Sequence, residues 1–82
     1  EHPNLMLRIE GHTDERGSRE YNIGLGWRRA HAVSTYLKQQ GIAQNKIDTV
    51  SYGKEKPIKS GHNASAWQKN RRVEILLRDK LP

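Results

Sequence analysis

Three charged residues, Asp14, Glu15 and Arg16, stand together between a short apolar segment and a long helical pattern. An arginine can fork onto a carboxylate, an aspartate can accept hydrogen bonds from an ammonium group, and the free N–H groups of a helix N-terminus favour an anion. This set of groups suits a zwitterionic ligand. The alternative interpretation is that Asp14 only caps the loop while Arg16 is solvated, and the spacing by itself favours that alternative.

Arg29 is a further basic residue that could serve the same site. It lies about 16 Å along the predicted helix from Ser18, at roughly 1.5 Å per residue, so its reach depends on how the loop folds over the helix. An arginine beside an apolar stripe more often covers that stripe with its aliphatic stem than binds a ligand. The residues alone therefore make Arg29 a weak candidate.

Two other groups have favoured structural interpretations. The basic corner Asn70-Arg71-Arg72 precedes the last predicted strand, and we interpret it as a solvated pair or as a structural bridge to Glu10 or Glu74. Trp27 and Trp67 could stack on bases or sugars, but each lies in a helical stretch, where partial burial is the commoner explanation.

Residue types and spacing give no support for catalysis or metal binding. The sequence has no cysteine, which excludes a disulfide framework, a thiolate zinc site and a cysteine nucleophile. His12 and Asp14 form one close pair, and one pair is too little for a metal site. The acidic residues near the loop form no convincing acid–base pair, and phosphate-binding glycine loops and Gly-x-Ser-x-Gly are absent. We expect no enzymatic activity, no cofactor and no metal.

The first half of the chain contains the elements that must position these residues. Alternating apolar residues predict a strand over Leu5 to Glu10, which Gly11 ends. A polar loop runs from there to Ser18, which is a good N-cap for a helix predicted over Arg19 to Gln40. Gly41 is the expected left-handed stop of that helix.

One face of the long helix is expected to meet the core. Gly24 and Gly26 lie within it at a cost of about 1 kcal/mol each relative to alanine, which indicates a close backbone approach at Gly26. Arg28, His31 and Thr35 form the solvated face. The core-facing stripe is Ile23, Gly26, Ala30, Val33 and Leu37.

The second half completes a small α/β (α+β) fold. A strand predicted over Ile47 to Tyr52 follows the helix, and the order strand, helix, strand favours a parallel pair. Asn63 is a candidate cap for a short helix over Ala64 to Asn70. A last strand follows over Arg72 to Leu77, and then a charged tail over Arg78 to Pro82. The expected architecture is βαβαβ, with a mixed sheet of three strands and two helices.

Composition describes one small, polar and basic domain. Of its 82 residues 33% are hydrophobic and none is Phe, which is thin for a core at this length. The chain has 15 Lys and Arg against 9 Asp and Glu, a net charge of +6, which is compatible with an acidic partner. The longest apolar run is shorter than the roughly 20 residues of a membrane-spanning helix, and the first residues lack the pattern of a signal peptide.

A small nucleic-acid-binding domain is the main alternative function. Its affinity would fall steeply with salt and be insensitive to Asp14→Ala, because aspartate contributes nothing to phosphate binding. A hydrolase is a second alternative, but it needs an acid and a base or nucleophile that the sequence does not offer convincingly. The basic residues available for phosphates are Arg28, Arg29, Arg71, Arg72 and the lysines between positions 54 and 59.

Several stretches of the sequence carry specific motifs. They are Ile9 to Gly17, Glu20 to Gly26, Arg28 to Ala30, Val33, Tyr36-Leu37, Gly41, Val50 to Pro57, Gly61-His62 and Asn70 to Val73. Together they resemble the family of OmpA-like peptidoglycan-binding domains. Asp-Glu-Arg-Gly and Ser-Tyr-Gly-Lys-Glu-Lys-Pro favour the lipoprotein branch of that family over its porin and flagellar-stator branches. The resemblance covers nearly the whole chain, so we interpret residues 1–82 as a single domain.

The resemblance implies a non-catalytic site for the diaminopimelate residue of the peptidoglycan stem peptide. In the family, the positions that match Asp14 and Arg29 hold diaminopimelate, and Arg16 matches a position on the ligand side. Diaminopimelate carries an ammonium and a carboxylate, so a carboxylate and guanidiniums form a complementary set. The further positions implied to line or shape the pocket are Thr13, Asn22 and Leu25.

The resemblance also implies a biological setting. The family attaches the outer membrane of Gram-negative bacteria non-covalently to the cell wall from the periplasm, with Tol proteins such as TolB as partners. Contact with the membrane is expected only through a lipid anchor that this sequence does not contain. Asn70 and Arg71 match positions that brace the sheet and the loop.

One departure from the family pattern matters for stability. A complete family domain starts with a further strand and helix before the segment that matches Leu5 to Glu10, so we expect an N-terminally incomplete domain. Exposed apolar surface and a free sheet edge would follow, and a second copy could cover them. We therefore expect self-association or marginal stability. Trp27 is a smaller departure, at a position that is usually polar.

Overall fold

A computed structural model describes residues 5–79 of the protein. Three strands and two helices alternate along the chain, as the sequence predicts. Among the described residues, no helix is long and apolar enough to cross a membrane. The elements are β1 (Leu5–His12), α1 (Arg19–Gln39), a 3₁₀ turn (Gln44–Lys46), β2 (Ile47–Gly53), α2 (Ala64–Asn70) and β3 (Arg72–Asp79).

The sheet is mixed and has the strand order β2-β1-β3. β1 runs parallel to β2, with Ile9 opposite Thr49, and antiparallel to β3, with Ile9 opposite Ile75. The predicted parallel pair and the α/β (α+β) class with a small mixed sheet are thus confirmed. Because β1 is central, the loop that follows it lies between the ends of the other two strands.

Two predicted strand ends are wrong. Gly11 does not end β1, because it pairs with Ser51 on one side and with Val73 on the other, and the strand runs on to His12. β3 continues past Leu77 to Asp79 by pairing with the start of β1. The predicted charged tail therefore begins inside a strand, and its residues 80–82 lie outside the described part of the chain.

The ends of α1 follow the predicted signals. The Ser18 side chain accepts a hydrogen bond from the Tyr21 N–H, and Gly41 adopts a left-handed φ of 104° just after the helix. Asn63 caps α2 in the same way by accepting from the Ala66 N–H. Short polar caps therefore fix where each helix starts.

α1 packs on β1 and β2 at Gly26. A Cβ added at Gly11 would overlap the carbonyl oxygen of Gly26, so the two backbones touch. This confirms the close approach predicted at Gly26. Ile9 and Ala30 are fully buried in the same layer. The rest of the predicted stripe, Ile23, Val33 and Leu37, is half-buried.

β3 is left largely uncovered on the side that carries α1. Ile75 is paired with Ile9 and so points to the same face of the sheet, yet 53% of its surface is exposed. Leu77 is 69% exposed and Tyr36 of α1 is 58% exposed. The thin core expected from composition is thus matched by exposed apolar side chains along one strand.

The opposite face of β1 is polar. Arg8 donates to Glu10 at 3.0 Å, to Asp48 at 3.1 Å and to the Tyr52 hydroxyl at 3.0 Å. His12 lies at the end of this row and stacks on Tyr52 with ring centroids 5.5 Å apart. Burial lowers the pKa of His12, and the positive charge of Arg72 lowers it further, so the ring is neutral inside this face.

Candidate ligand-binding site

The loop after β1 is held from both sides. The Thr13 N–H donates to the Gly53 carbonyl at 2.9 Å, which ties the loop to the end of β2. The Asn22 side chain, in the first turn of α1, donates to the carbonyls of Arg16 at 2.8 Å and Ser18 at 2.9 Å. Because Asn22 is 2% exposed, these bonds fix the loop shape from inside.

Asp14 is the electrostatic centre of this loop. Its Oδ1 accepts from the Arg16 N–H at 3.0 Å and from Arg16 Nε at 3.1 Å. Its Oδ2 accepts from Arg16 Nη2 at 2.8 Å and from Arg71 Nη1 at 3.0 Å. These bonds, those of the Arg16 side chain first, outweigh burial and hold the pKa of Asp14 well below its usual range. The carboxylate is therefore ionised and fully hydrogen-bonded.

A pocket of about 270 Å³ opens beside this carboxylate. All six residues predicted to form the site line it, from the loop and from the facing side of α1. Two further residues, which the sequence analysis did not assign to the site, complete it. The lining residues are Thr13, Asp14, Arg16, Tyr21, Asn22, Leu25, Arg29 and Arg71.

Arg29 reaches the end of β1, which the sequence alone left open. Its Nη1 lies 3.4 Å from the carbonyl oxygen of His12, so the side chain extends towards the loop. Leu25, one turn earlier on α1, contributes an apolar wall to the same pocket. The pocket thus joins a basic and an apolar surface from one helix with a carboxylate from the loop.

Arg71 is a pocket residue that the sequence analysis assigned only a bracing role. It does brace the loop, but its partner is Asp14 rather than Glu10 or Glu74. Arg72 forms the predicted bridge to Glu74. The antiparallel pairing of His12 with Arg72 places Arg71 beside the loop, and a correct β1–β3 register would have been the signal for it.

Asn70 has the predicted structural role. Its Oδ1 accepts from the N–H groups of Ile58 at 2.8 Å and Lys59 at 3.1 Å, and its Nδ2 donates to the Lys59 carbonyl at 3.0 Å. The side chain is 4% exposed. It therefore ties the loop before α2 to the end of that helix.

A second group of contacts fixes the loop against α2. Glu15 accepts from Trp67 Nε1 at 2.8 Å and from His62 Nδ1 at 2.7 Å. The Arg16 guanidinium lies 4.2 Å from the centre of the Trp67 ring, a cation–π distance. The bond from Trp67 is the main cause of a lowered pKa for Glu15. Trp67 is half-buried in this role, as predicted.

The charges of the pocket suit a zwitterionic ligand. One carboxylate and the three guanidiniums of Arg16, Arg29 and Arg71 leave it with net positive charge. A ligand with one ammonium and at least one carboxylate is the complementary species. A single acidic side chain, ionised and saturated with hydrogen bonds, is not the pair of carboxyl groups that glycoside hydrolysis requires.

Comparison with known sequences gives a consistent set of matches. The model of the OmpA family matches residues 1–71. A protein of Pseudomonas aeruginosa named peptidoglycan-associated lipoprotein is 57% identical over 67 residues, which are 82% of this chain and 40% of that protein. A Haemophilus influenzae protein of the same name is 54% identical over 73 residues, 89% of this chain and 48% of that protein. The chain thus spans less than half the length of these two relatives.

Solved structures show the same likeness in three dimensions. The crystal structure of the peptidoglycan-associated lipoprotein from Burkholderia pseudomallei superposes with a TM-score of 0.90 at 43% identity, over 94% of this chain and 65% of that one. The C-terminal domain of Helicobacter pylori MotB gives a TM-score of 0.83 at 30% identity, over 90% of this chain and 57% of that one. Both solved structures therefore share the fold of this chain at sequence identities of 30% or more.

Proposed function

This chain belongs to the OmpA family, and from that premise we propose that it is a non-catalytic domain that binds peptidoglycan and holds the outer membrane to the cell wall. The relatives named peptidoglycan-associated lipoprotein support this role. We further propose that residues 1–82 act as a single domain, in the periplasm of a Gram-negative cell, with Tol proteins such as TolB as partners.

The observation that carries the proposal is one pocket holding Asp14 beside three arginines. The end of the diaminopimelate side chain is an amino-acid group, with an ammonium and a carboxylate on one carbon. Asp14 is the partner for the ammonium, and the guanidiniums of Arg29 and Arg16 are the partners for the carboxylate. Leu25 lies beside them for the methylene groups of the ligand.

Ligand entry requires Arg16 to give up part of its hold on Asp14. In the structure, four donors occupy the two oxygens of that carboxylate, which is close to its full capacity. The Arg16 side chain is 55% exposed, whereas Arg71 is 37% exposed. We infer that Arg16 moves towards the ligand carboxylate while Arg71 stays on Asp14, so that the ligand ammonium takes the vacated bonds.

The remaining predicted residues shape this arrangement. Asn22 holds the loop backbone through two carbonyls, and Thr13 donates its hydroxyl to the Asp14 carbonyl at 3.1 Å. Both side chains act on the conformation that presents the Asp14 carboxylate. Their removal would therefore weaken binding by misplacing that group.

The nucleic-acid alternative has less support from the same geometry. Arg29 and Arg71 line a pocket that contains a carboxylate, and Arg72 is paired with Glu74. Lys54 donates to the Gly17 carbonyl at 2.6 Å. These cations make contacts within the domain. They are not collected on one open face, as binding to a row of phosphates requires.

The test is a titration of the protein with a soluble diaminopimelate-type stem peptide, together with a pull-down on purified peptidoglycan. We expect saturable binding that Asp14→Ala and Arg29→Ala each weaken at least about tenfold, a loss of about 1.4 kcal/mol. Arg28→Ala is the matched control, because Arg28 is exposed on the same helix and lies outside the pocket. A lysine-type stem peptide, which lacks the second carboxylate, should bind more weakly.

Two results would contradict the proposal. One is binding that Asp14→Ala leaves unchanged. The other is steeply salt-dependent binding of DNA or RNA that is equally insensitive to that substitution, which would favour the alternative function.

A further inference from the structure

A second cluster of functional side chains lies on the face of the sheet opposite α1. Glu10 and His12 are two positions apart on β1 and so lie on the same face of the sheet. Glu74 of β3 is directly opposite Glu10 in the antiparallel register. One ligand-type atom of each of the three residues lies within 4.8 Å of the others. Like charges directly opposite each other destabilise a sheet.

His12 is the unusual member of this cluster. Its side chain is 2% exposed, and neither ring nitrogen has a hydrogen-bond partner within residues 5–79. A buried polar group without a partner costs free energy. Its Nε2 lies 3.8 Å from Glu10 Oε1, too far for a hydrogen bond, and a ring nitrogen of His12 lies within 4.8 Å of an oxygen of each of the two carboxylates.

Two arginines hold the carboxylates in place from outside. Arg8 Nε donates to Glu10 Oε2 at 3.0 Å, and Arg72 Nε donates to Glu74 Oε2. Both bonds use Oε2, and Oε1 of Glu10 is the oxygen that faces His12. Hydrogen bonds of this kind are the outer interactions that commonly orient metal-binding carboxylates.

We propose that Glu10, His12 and Glu74 bind a divalent transition-metal ion, for which Zn²⁺ is the best match. The ligand set is one imidazole nitrogen and two carboxylate oxygens, which leaves a fourth position for water in a tetrahedral site. An imidazole ligand favours zinc and its neighbours over Mg²⁺ or Ca²⁺, which prefer oxygen alone. Glu74 is 40% exposed, so the ion enters from its side and the carboxylate closes onto it.

The role of this site is structural and separate from the ligand pocket. The ion would link β1 to β3 and satisfy a buried nitrogen of His12. None of its three ligands lines the ligand pocket. Occupancy would therefore stabilise the fold without taking a group needed for the stem peptide.

The test is isothermal titration of the metal-free protein with Zn²⁺ alone. We expect one ion per chain, a raised Tm, and affinity at least about tenfold weaker in Glu74→Gln, which removes a charge at a partly exposed position. His62→Gln is the matched control, because His62 and Glu15 form an exposed histidine–carboxylate pair that could bind zinc adventitiously. That control should leave the affinity and the shift in Tm unchanged.

A second measurement needs no variant. Co²⁺ added to the isotope-labelled protein should broaden the NMR signals of Glu10, His12 and Glu74 before all others. Absence of Zn²⁺ binding would overturn the proposal. So would affinity that is lost in His62→Gln and kept in Glu74→Gln, or Co²⁺ broadening centred on His62.

Discussion

The Arg16 guanidinium spans both oxygens of Asp14, with Nε 3.1 Å from Oδ1 and Nη2 2.8 Å from Oδ2. The two residues are neighbours on one loop, so this pair forms within the loop itself. Arg71 adds a bond to the same carboxylate from the far end of the chain. Asp14 is thus the point where the loop is fastened to the residue that precedes β3, and it is the group that we propose as the partner of the ligand ammonium.

Asp14 should make the free energy of unfolding depend on pH in the acidic range. Its folded pKa lies below the usual value, held there mainly by Arg16, so its contribution is complete above about pH 4 and is lost as pH falls further. We expect Asp14→Asn to cost about 1.5–3 kcal/mol at neutral pH, because hydrogen bonds to a charged group are lost. The unfolding free energies of the two proteins should therefore draw together as pH is lowered from about 4 towards the depressed folded pKa of Asp14, at which the carboxyl group becomes protonated in the folded state as well. Parallel curves would contradict this origin of the stability.

Arg71 should matter for ligand binding although sequence motifs gave it only a structural role. Removing it leaves Asp14 with Arg16 alone, which then has less freedom to move to the ligand. We expect Arg71→Ala to weaken stem-peptide binding by about tenfold, or about 1.4 kcal/mol, as measured by titration calorimetry. Lys69→Ala is the control, since Lys69 is an exposed cation at the end of the neighbouring helix. Equal losses in the two variants would indicate a general effect of charge.

The features predictable from sequence are those encoded locally. Ser18 as a cap, Gly41 as a stop and the Asp14-Glu15-Arg16 loop all depend on residues within a few positions of one another. The family motifs added Arg29, whose reach depends on how α1 lies over the sheet. Local patterns indicated a close approach at Gly26 but not its partner, so they could not give the packing that is fixed by the contact of Gly26 with Gly11 of β1.

The features that sequence analysis missed depend on the register of β1 with β3. Arg71 reaches Asp14, and Glu74 reaches the row of Glu10 and His12, only because those strands pair antiparallel with His12 opposite Arg72. The same register requires that β1 continues past Gly11 to His12. A chain that turned away at Gly11, as the sequence pattern predicts, would leave His12 in a loop.

The contact between Gly11 and Gly26 should tolerate no side chain. A methyl group on Gly11 would overlap the carbonyl oxygen of Gly26, and backbone cannot move aside as a side chain can. We expect Gly11→Ala to destabilise the protein by about 3 kcal/mol or more, measured by denaturant unfolding. Gly24→Ala is the matched control, since its nearest neighbour would be the Arg28 side chain at 3.5 Å. The helical propensity of alanine should make that variant more stable by about 1 kcal/mol.

A Gly11→Ala variant as stable as the wild type would contradict the observed packing of α1. A destabilised Gly24→Ala variant would contradict the ordinary contact distance of 3.5 Å between an added methyl group and the Arg28 side chain. Taken together, the pair separates the effect of close packing from the general effect of replacing glycine.

The exposed apolar side chains of β3 should promote self-association. Ile75 and Leu77 lie on the same face of the sheet as α1, but α1 does not cover β3, and both side chains are more than half exposed. In a two-fold symmetric dimer, both copies of each side chain would be buried. Burying one leucine side chain contributes about 1.5–3 kcal/mol. We expect concentration-dependent dimers in sedimentation equilibrium, and a dissociation constant raised at least about tenfold, or about 1.4 kcal/mol, by Leu77→Lys.

Ile58→Lys provides the control for that experiment. Ile58 is 63% exposed, close to the exposure of Leu77, but it lies in the loop before α2 rather than on the sheet. The added charge is the same in both variants, so a general effect of charge repulsion would appear equally in each. A specific contact through β3 requires that Leu77→Lys dissociates the dimer while Ile58→Lys does not. A monomer at every concentration, with cooperative unfolding, would show that this apolar face is tolerated in water without a partner.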